Sequence, residues 1–126
     1  MNHQFIHTDH APSPIGPYSQ ATRAGDTIYV SGQIAINAET NELETDTLEQ
    51  ETERVLENLK QVLMAAGAKM EHVVKCSIFI SDMNNFGRIN EVYGKYFQRN
   101  QPARETVEVG GLPKGVNVEI SCIAVV

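Results

Sequence analysis

The chain has 126 residues, 41% apolar and 21% charged, with 10 Lys and Arg against 16 Asp and Glu for a net charge of −6. That length suits one domain burying about two-thirds of its unfolded surface, and the composition excludes disordered, collagen-like and fibrous classes. A negative chain without a Lys/Arg cluster argues against nucleic acid, whose phosphates require several cations on one face.

The longest apolar run, residues 122–126, falls far short of the ~18 residues a membrane span needs. Residues 1–7 show neither the basic nor the apolar region of an export signal, so the chain reads as cytoplasmic with no membrane partner. Cys76 and Cys122 each sit in a β-like apolar run and read as buried, reduced thiols.

Taken in chain order, a short strand is expected near residues 4–8. Residues 9–17 hold three prolines and a glycine, which excludes helix and central strand. Residues 18–24 and 27–36 read as strands joined at Gly25-Asp26, a dipeptide suited to a tight hairpin. In the second, alternation puts Ile28, Val30, Gly32 and Ile34 on one face and Tyr29, Ser31 and Gln33 on the other. Residues 37–46 are polar and acidic, a surface connection.

Thr47-Leu48-Glu49-Gln50 is a capping-box pattern that starts a helix, whose stripe of Leu48, Val55, Leu56, Leu59, Val62, Leu63 and Ala66 ends at Gly67. Residues 73–80 predict a strand with Val74, Cys76, Ile78 and Ile80 on one face. Asp82 suits the cap of a second helix reaching about residue 99, with Phe86, Ile89, Asn90, Tyr93 and Phe97 on its inner stripe. Two final strands cover residues 104–109 and 116–126. The expected class is α+β, one domain, order β-β-β-α-β-α-β-β, with a mixed six-stranded sheet and two helices on one face. Both sides of the last strand are apolar, Ile123 and Val125 included, so the second face calls for a further copy of the chain.

Metal, phosphate and nucleophile motifs are missing from the sequence. His3, His7 and His10 crowd an irregular N-terminus and His72 precedes a strand, so no metal site is expected. Three polar residues fit their local pattern badly. Arg104 enters an apolar strand, where its donor fork suits either a carboxylate ligand or a surface ion pair. Glu119 sits mid-strand between Val118 and Ile120, facing a cleft or serving as an edge charge against sticking. Asn90 interrupts an apolar stripe, pinning a loop backbone or lining a pocket.

Six segments stand in a fixed order: Gly16-Pro17-Tyr18-Ser19-Gln20-Ala21, Tyr29-Val30-Ser31-Gly32-Gln33-Ile34, Asp82-Met83-Asn84-Asn85-Phe86, Ile89-Asn90-Glu91-Val92-Tyr93, Pro102-Ala103-Arg104, and the run from Leu112 through Pro113-Lys114-Gly115 to Ile120. Together they resemble the Rid family of reactive intermediate deaminases, also called YjgF or L-PSP proteins, over essentially the whole chain, and within it the RidA subgroup. The resemblance implies a chorismate-mutase-like fold, a homotrimer with clefts between subunits, and no cofactor. It further implies that Arg104 binds a substrate carboxylate and Glu119 orients or activates a water. Tyr18, Ser31 and Asn90 would line the cleft, and the backbones of Gly32 and Thr106 would add hydrogen bonds.

The implied reaction is hydrolysis of 2-imino acids, or their enamine tautomers, to 2-oxo acids and ammonia. A protonated imine is already electrophilic and needs only a placed water, a base and an anchor. Two rivals stand beside it: a non-catalytic small-acid-binding or regulatory protein, which would need Arg104 but not Glu119 as a base, and an endoribonuclease, which the charge disfavours. The chain departs from the family's habits at Thr106, often Cys; at Glu105, usually small; at Gly110-Gly111; and at Ser121, often a second Glu. These bear on substrate preference rather than reaction type.

Overall fold

The computed structural model describes residues 2–126. Strands β1 (His3–Ile6), β2 (Ala21–Ala24), β3 (Thr27–Gln33), β4 (Val73–Ile80), β5 (Ala103–Glu108) and β6 (Val118–Val125) form one sheet in the order β1-β2-β3-β6-β4-β5. The parallel pair β4 and β5 is bridged by helix α2 (Phe86–Tyr96), while the other neighbouring pairs are antiparallel. Helix α1 (Leu48–Ala65) links β3 to β4 and lies against β3, β6 and α2. The mixed α+β class expected from the sequence is the class observed.

Helix α1 starts where the capping pattern predicts. Thr47 Oγ1 accepts from the Gln50 amide at 3.0 Å, a contact typically worth about 1 kcal/mol. At the other end Gly67 takes φ +87°, open to glycine without the Cβ clash other residues meet. That lets Ala68 N donate to Leu63 O and Gly67 N to Met64 O, closing the last turn. Val55, Leu56, Leu59, Val62 and Leu63 are buried on the sheet, each contributing roughly 1.5–3 kcal/mol by burial.

Four expectations are corrected. A β-irregularity between Val30 and Gln33 turns Gln33 inward, so it is buried rather than facing out with Tyr29. A second, between Val73 and Lys75, gives Val73 the inward place and leaves Val74 46% exposed; Cys76, Ile78 and Ile80 stay in the core. Asp82 caps a 3-10 turn, Met83–Asn85, by accepting from Asn84 N, and α2 begins only at Phe86. It ends at Tyr96, because the backbone of Phe97 leaves helical geometry as its ring enters the core.

The helix-free face of the sheet stays open in one chain. Tyr29, Val107 and Val125 are exposed there, with Ile123 and Phe79 partly so. Glu105 crosses this face, paired with Lys75 Nζ at 3.0 Å and accepting from Ser77 Oγ. Those two contacts, Ser77 first, hold its carboxyl below the usual range. Cys76 and Cys122 are opposite one another on β4 and β6, both buried free thiols pushed up in pKa chiefly by that burial. Among the described residues, no helix is long and apolar enough to cross a membrane.

Candidate active site

Arg104 projects from β5 on the helix side of the sheet, in register with buried Cys76. Its Nη1 donates to Asn90 Oδ1 at 2.7 Å. Its guanidinium carbon lies 4.9 Å from the Tyr93 ring centre and 5.4 Å from that of Phe86, within cation–π range. Residues 86, 90 and 93 share one face of α2 because helical spacing of four and then three residues stacks them. That face clamps the arginine from one side. Among the described residues no carboxylate pairs with it, and it borders a recess with Asn90, Gly94, Gln101 and Pro102.

Thr106 follows two residues along the same face of β5, its Oγ1 buried without a hydrogen-bond partner. The Tyr93 hydroxyl is likewise buried, and burial first, then the neighbouring Cys76 thiol, pushes its pKa up.

Glu119 points to the opposite face of the sheet. Its neighbours Val118 and Ile120 are fully buried beneath the helices, so alternation along β6 sends the carboxylate the other way. There it shares a recess with Tyr18, Gly32, Ile34 and Pro113. Gly32 lets Glu119 approach closely: a Cβ at that position would stand 2.5 Å from Glu119 Oε2, so the carboxylate would have to shift. Partial burial raises the Glu119 pKa, as it should for a carboxyl with no cation beside it. Tyr18 bends over its own loop, its hydroxyl accepting from Ile15 N at 3.3 Å. Ser31 Oγ donates to Ser19 O at 2.6 Å and fastens that loop to β3.

One chain therefore assembles two separate groups. Tyr18, Gly32 and Glu119 line one recess with Ser31 behind it; Arg104 and Asn90 line another, with Thr106 on the same strand face. The sheet lies between them. The histidines stand apart from both: His7 contacts Asp9 at 3.1 Å and His72 Nδ1 accepts from Lys69 N. Among the described residues, no group of three or more His, Cys, Asp or Glu has the arrangement to hold a metal ion.

The family model described as Endoribonuclease L-PSP matches residues 8–126. The chain belongs to the L-PSP family, also called YjgF or Rid. It is 50% identical over 121 residues to a RutC family protein of Saccharolobus solfataricus, covering 96% of each chain. To the 2-iminobutanoate/2-iminopropanoate deaminase of Dermatophagoides farinae it is 49% identical over 123 residues, 98% of this chain and 96% of that one. The crystal structure of E. coli TdcF with bound serine superposes with a TM-score of 0.94 at 40% identity, covering 98% of both chains. This Rid-family fold is thus the one the sequence resemblance implied.

Several residues around the two recesses escape a reading of the sequence alone. Phe86 and Tyr93 look like ordinary core positions, and only the interposed Asn90 hints that their stripe faces a charge. Gln20 is buried and its amide grips the N-terminal loop through Thr8 N, Thr8 O and Pro12 O. Glu51, Thr52 and Asn58 are buried on α1 beside its apolar stripe. Their one signal is polarity at helical spacing from that stripe, which solvent-facing residues share.

Proposed function

We propose that this protein hydrolyses 2-imino acids such as 2-iminobutanoate and 2-iminopropanoate to 2-oxo acids and ammonia, in sites completed between copies of the chain in a homotrimer. The observation that carries this reading is the state of Arg104. Asn90 and two aromatic rings hold one side of the guanidinium, and no carboxylate of the described chain occupies the rest. A planar fork so placed suits a two-point grip on a carboxylate. Serine, bound in the related TdcF crystal, carries such a group, and relatives at 44–49% identity are named as the deaminase.

In this mechanism Arg104 anchors the substrate carboxylate, and the protonated imine carbon awaits a water. Glu119, its pKa raised by burial, takes a proton from that water as the oxygen bonds to carbon and the C=N electron pair moves to nitrogen. The same carboxyl then returns the proton to nitrogen. As ammonia leaves, the Glu119 carboxylate takes the hydroxyl proton and the carbonyl forms. Tyr18, Ser31 and the backbones of Gly32 and Thr106 shape the cleft. Because Arg104 and Glu119 face opposite sides of one sheet, a shared substrate needs Arg104 from one copy and Glu119 from its neighbour. The exposed Tyr29, Val107 and Val125 supply apolar surface for such packing.

The direct test traps the imine. Semicarbazide competes for 2-iminobutanoate released by a threonine dehydratase, so the protein should lower the rate of semicarbazone formation. An unchanged rate, with 2-oxobutanoate still bound, would leave a small-acid-binding protein instead. Light scattering at micromolar concentration should report three chains of 13.9 kDa; a monomer would leave the two halves of the site apart.

A further inference from the structure

Glu51 is fully buried on α1, and among the described residues no cation pairs with it. A charged carboxylate survives in such a place only if donors are supplied to it. Both of its oxygens are taken by one residue: Oε2 accepts from the Asn117 backbone N at 2.8 Å, and Oε1 from Asn117 Nδ2 at 2.7 Å. The carbonyl of Asn117 in turn accepts from Ser81 N at 3.1 Å. Asn117 stands one residue before β6 and two before Glu119.

The chain reaches this point from a constrained turn. Lys114 and Gly115 both adopt left-handed backbone, φ +57° and +68°, and Pro113 of the same turn lines the Glu119 recess. At the far end Glu119 Oε2 is seated closely over Gly32, within 2.5 Å of where a Cβ would stand. A shift of a few tenths of an ångström at the start of β6 therefore reaches the carboxylate. We propose that Glu51 is a positioning residue that, through Asn117, fixes β6 against α1 and so sets the seat of Glu119 over Gly32. This rests on the reading of Glu119 as the base.

Three variants grade the contact. Glu51→Ala removes both bonds and Asn117→Ala only the side-chain one. Glu51→Gln can rebuild both if the Asn117 amide turns over, because Gln Oε1 then accepts from the backbone N and Nε2 donates to Asn117 Oδ1. Measured well below each variant's melting temperature, kcat should fall about tenfold in Glu51→Ala and less in Asn117→Ala, in keeping with the sensitivity of catalysis to small misplacements. It should stay within about twofold of wild type in Glu51→Gln, with KM held throughout because Arg104 is untouched.

Carbon-13 NMR of the Glu119 carboxyl gives a readout independent of turnover, and its titration midpoint should move in the two Ala variants. If Glu51→Ala does not fold, Asn117→Ala carries the test. An unmoved Glu119 titration together with wild-type kcat in folded Asn117→Ala would overturn the proposal and leave a purely structural contact. Full turnover in Glu119→Gln would instead overturn the role of Glu119 as base, while the NMR titration would still judge whether Glu51 positions it.

Discussion

Asn90 Oδ1 accepts a 2.7 Å hydrogen bond from Arg104 Nη1, a contact in which a neutral amide steadies a charged group without neutralising it. An aspartate at the same place would do both. Asn90→Asp should therefore occupy the guanidinium with an internal carboxylate and weaken 2-oxobutanoate binding by on the order of tenfold. Calorimetric titration checks this; binding equal to wild type would mean that Asn90 does not govern the arginine.

Replacing Arg104 separates a ligand clamp from a mere positive charge. Lysine keeps the charge but lacks the planar fork and its broad contact with the Phe86 and Tyr93 rings. Truncating one partner of a desolvated charge pair costs about 2–5 kcal/mol, so Arg104→Ala should lose about 30- to 4,000-fold in kcat/KM at 1.4 kcal/mol per decade. Arg104→Lys should recover only part of that loss while melting as the wild type does. Wild-type kcat/KM in a folded Lys variant would place the anchor elsewhere.

The raised pKa of Glu119 fixes two signs. As a base it must be ionised, so kcat should rise with pH through a midpoint above the usual carboxyl value, and Glu119→Gln should lower turnover by about 10²–10⁴-fold. For stability, a carboxyl whose folded pKa exceeds its unfolded one favours folding when protonated. That contribution is complete below the unfolded value of about 4.3 and is lost as pH rises through the folded one. The Gln variant should thus melt above wild type at pH 7, with the gap closing toward pH 4. Melting curves across that range decide the matter; a gap that widens in acid would contradict the burial argument.

Gly32 allows a cleaner perturbation. Alanine there meets the flexible end of Glu119, with Oε2 at 2.5 Å from the new Cβ, so the side chain can move aside at little cost to folding. Gly32→Ala should keep its melting temperature within about 2 °C, an effect of well under 1 kcal/mol, yet lower kcat about tenfold by displacing the base. Unchanged turnover would show that the position of Glu119 is not critical.

Most of the architecture was legible because local signals agreed with the fold. Thr47, the apolar stripe of α1 and Gly67 each marked one feature of the same helix, and the Gly25-Asp26 hairpin connects β2 and β3 as expected. The misplacements at Gln33 and Val74 share a cause: a strand irregularity resets the two-residue period, and nothing local announces it. Asp82 signalled a helix start correctly in kind but capped a 3-10 turn first. At the site, Arg104, Glu119 and Asn90 stood out as polar residues in apolar patterns. Their partners Phe86, Tyr93 and Gly32 did not, because an aromatic in a stripe or a glycine in a strand looks the same whether it packs a core or cradles a charge.

Arg104 and Glu119 lie on opposite sides of one sheet, and under the proposed function, in which each chain donates two unlike half-sites, this has a genetic consequence. Two inactive variants, Arg104→Ala and Glu119→Gln, each retain the half the other lacks. When they are unfolded together and reassembled at equal concentrations, the interface that joins the intact arginine of one to the intact glutamate of the other should arise in about one pairing in four of a cyclic assembly. The mixture should then recover about a quarter of wild-type activity from two preparations that have almost none. A site confined within a single chain would recover nothing, so complementation between the variants reports directly on how the catalytic groups are shared among subunits.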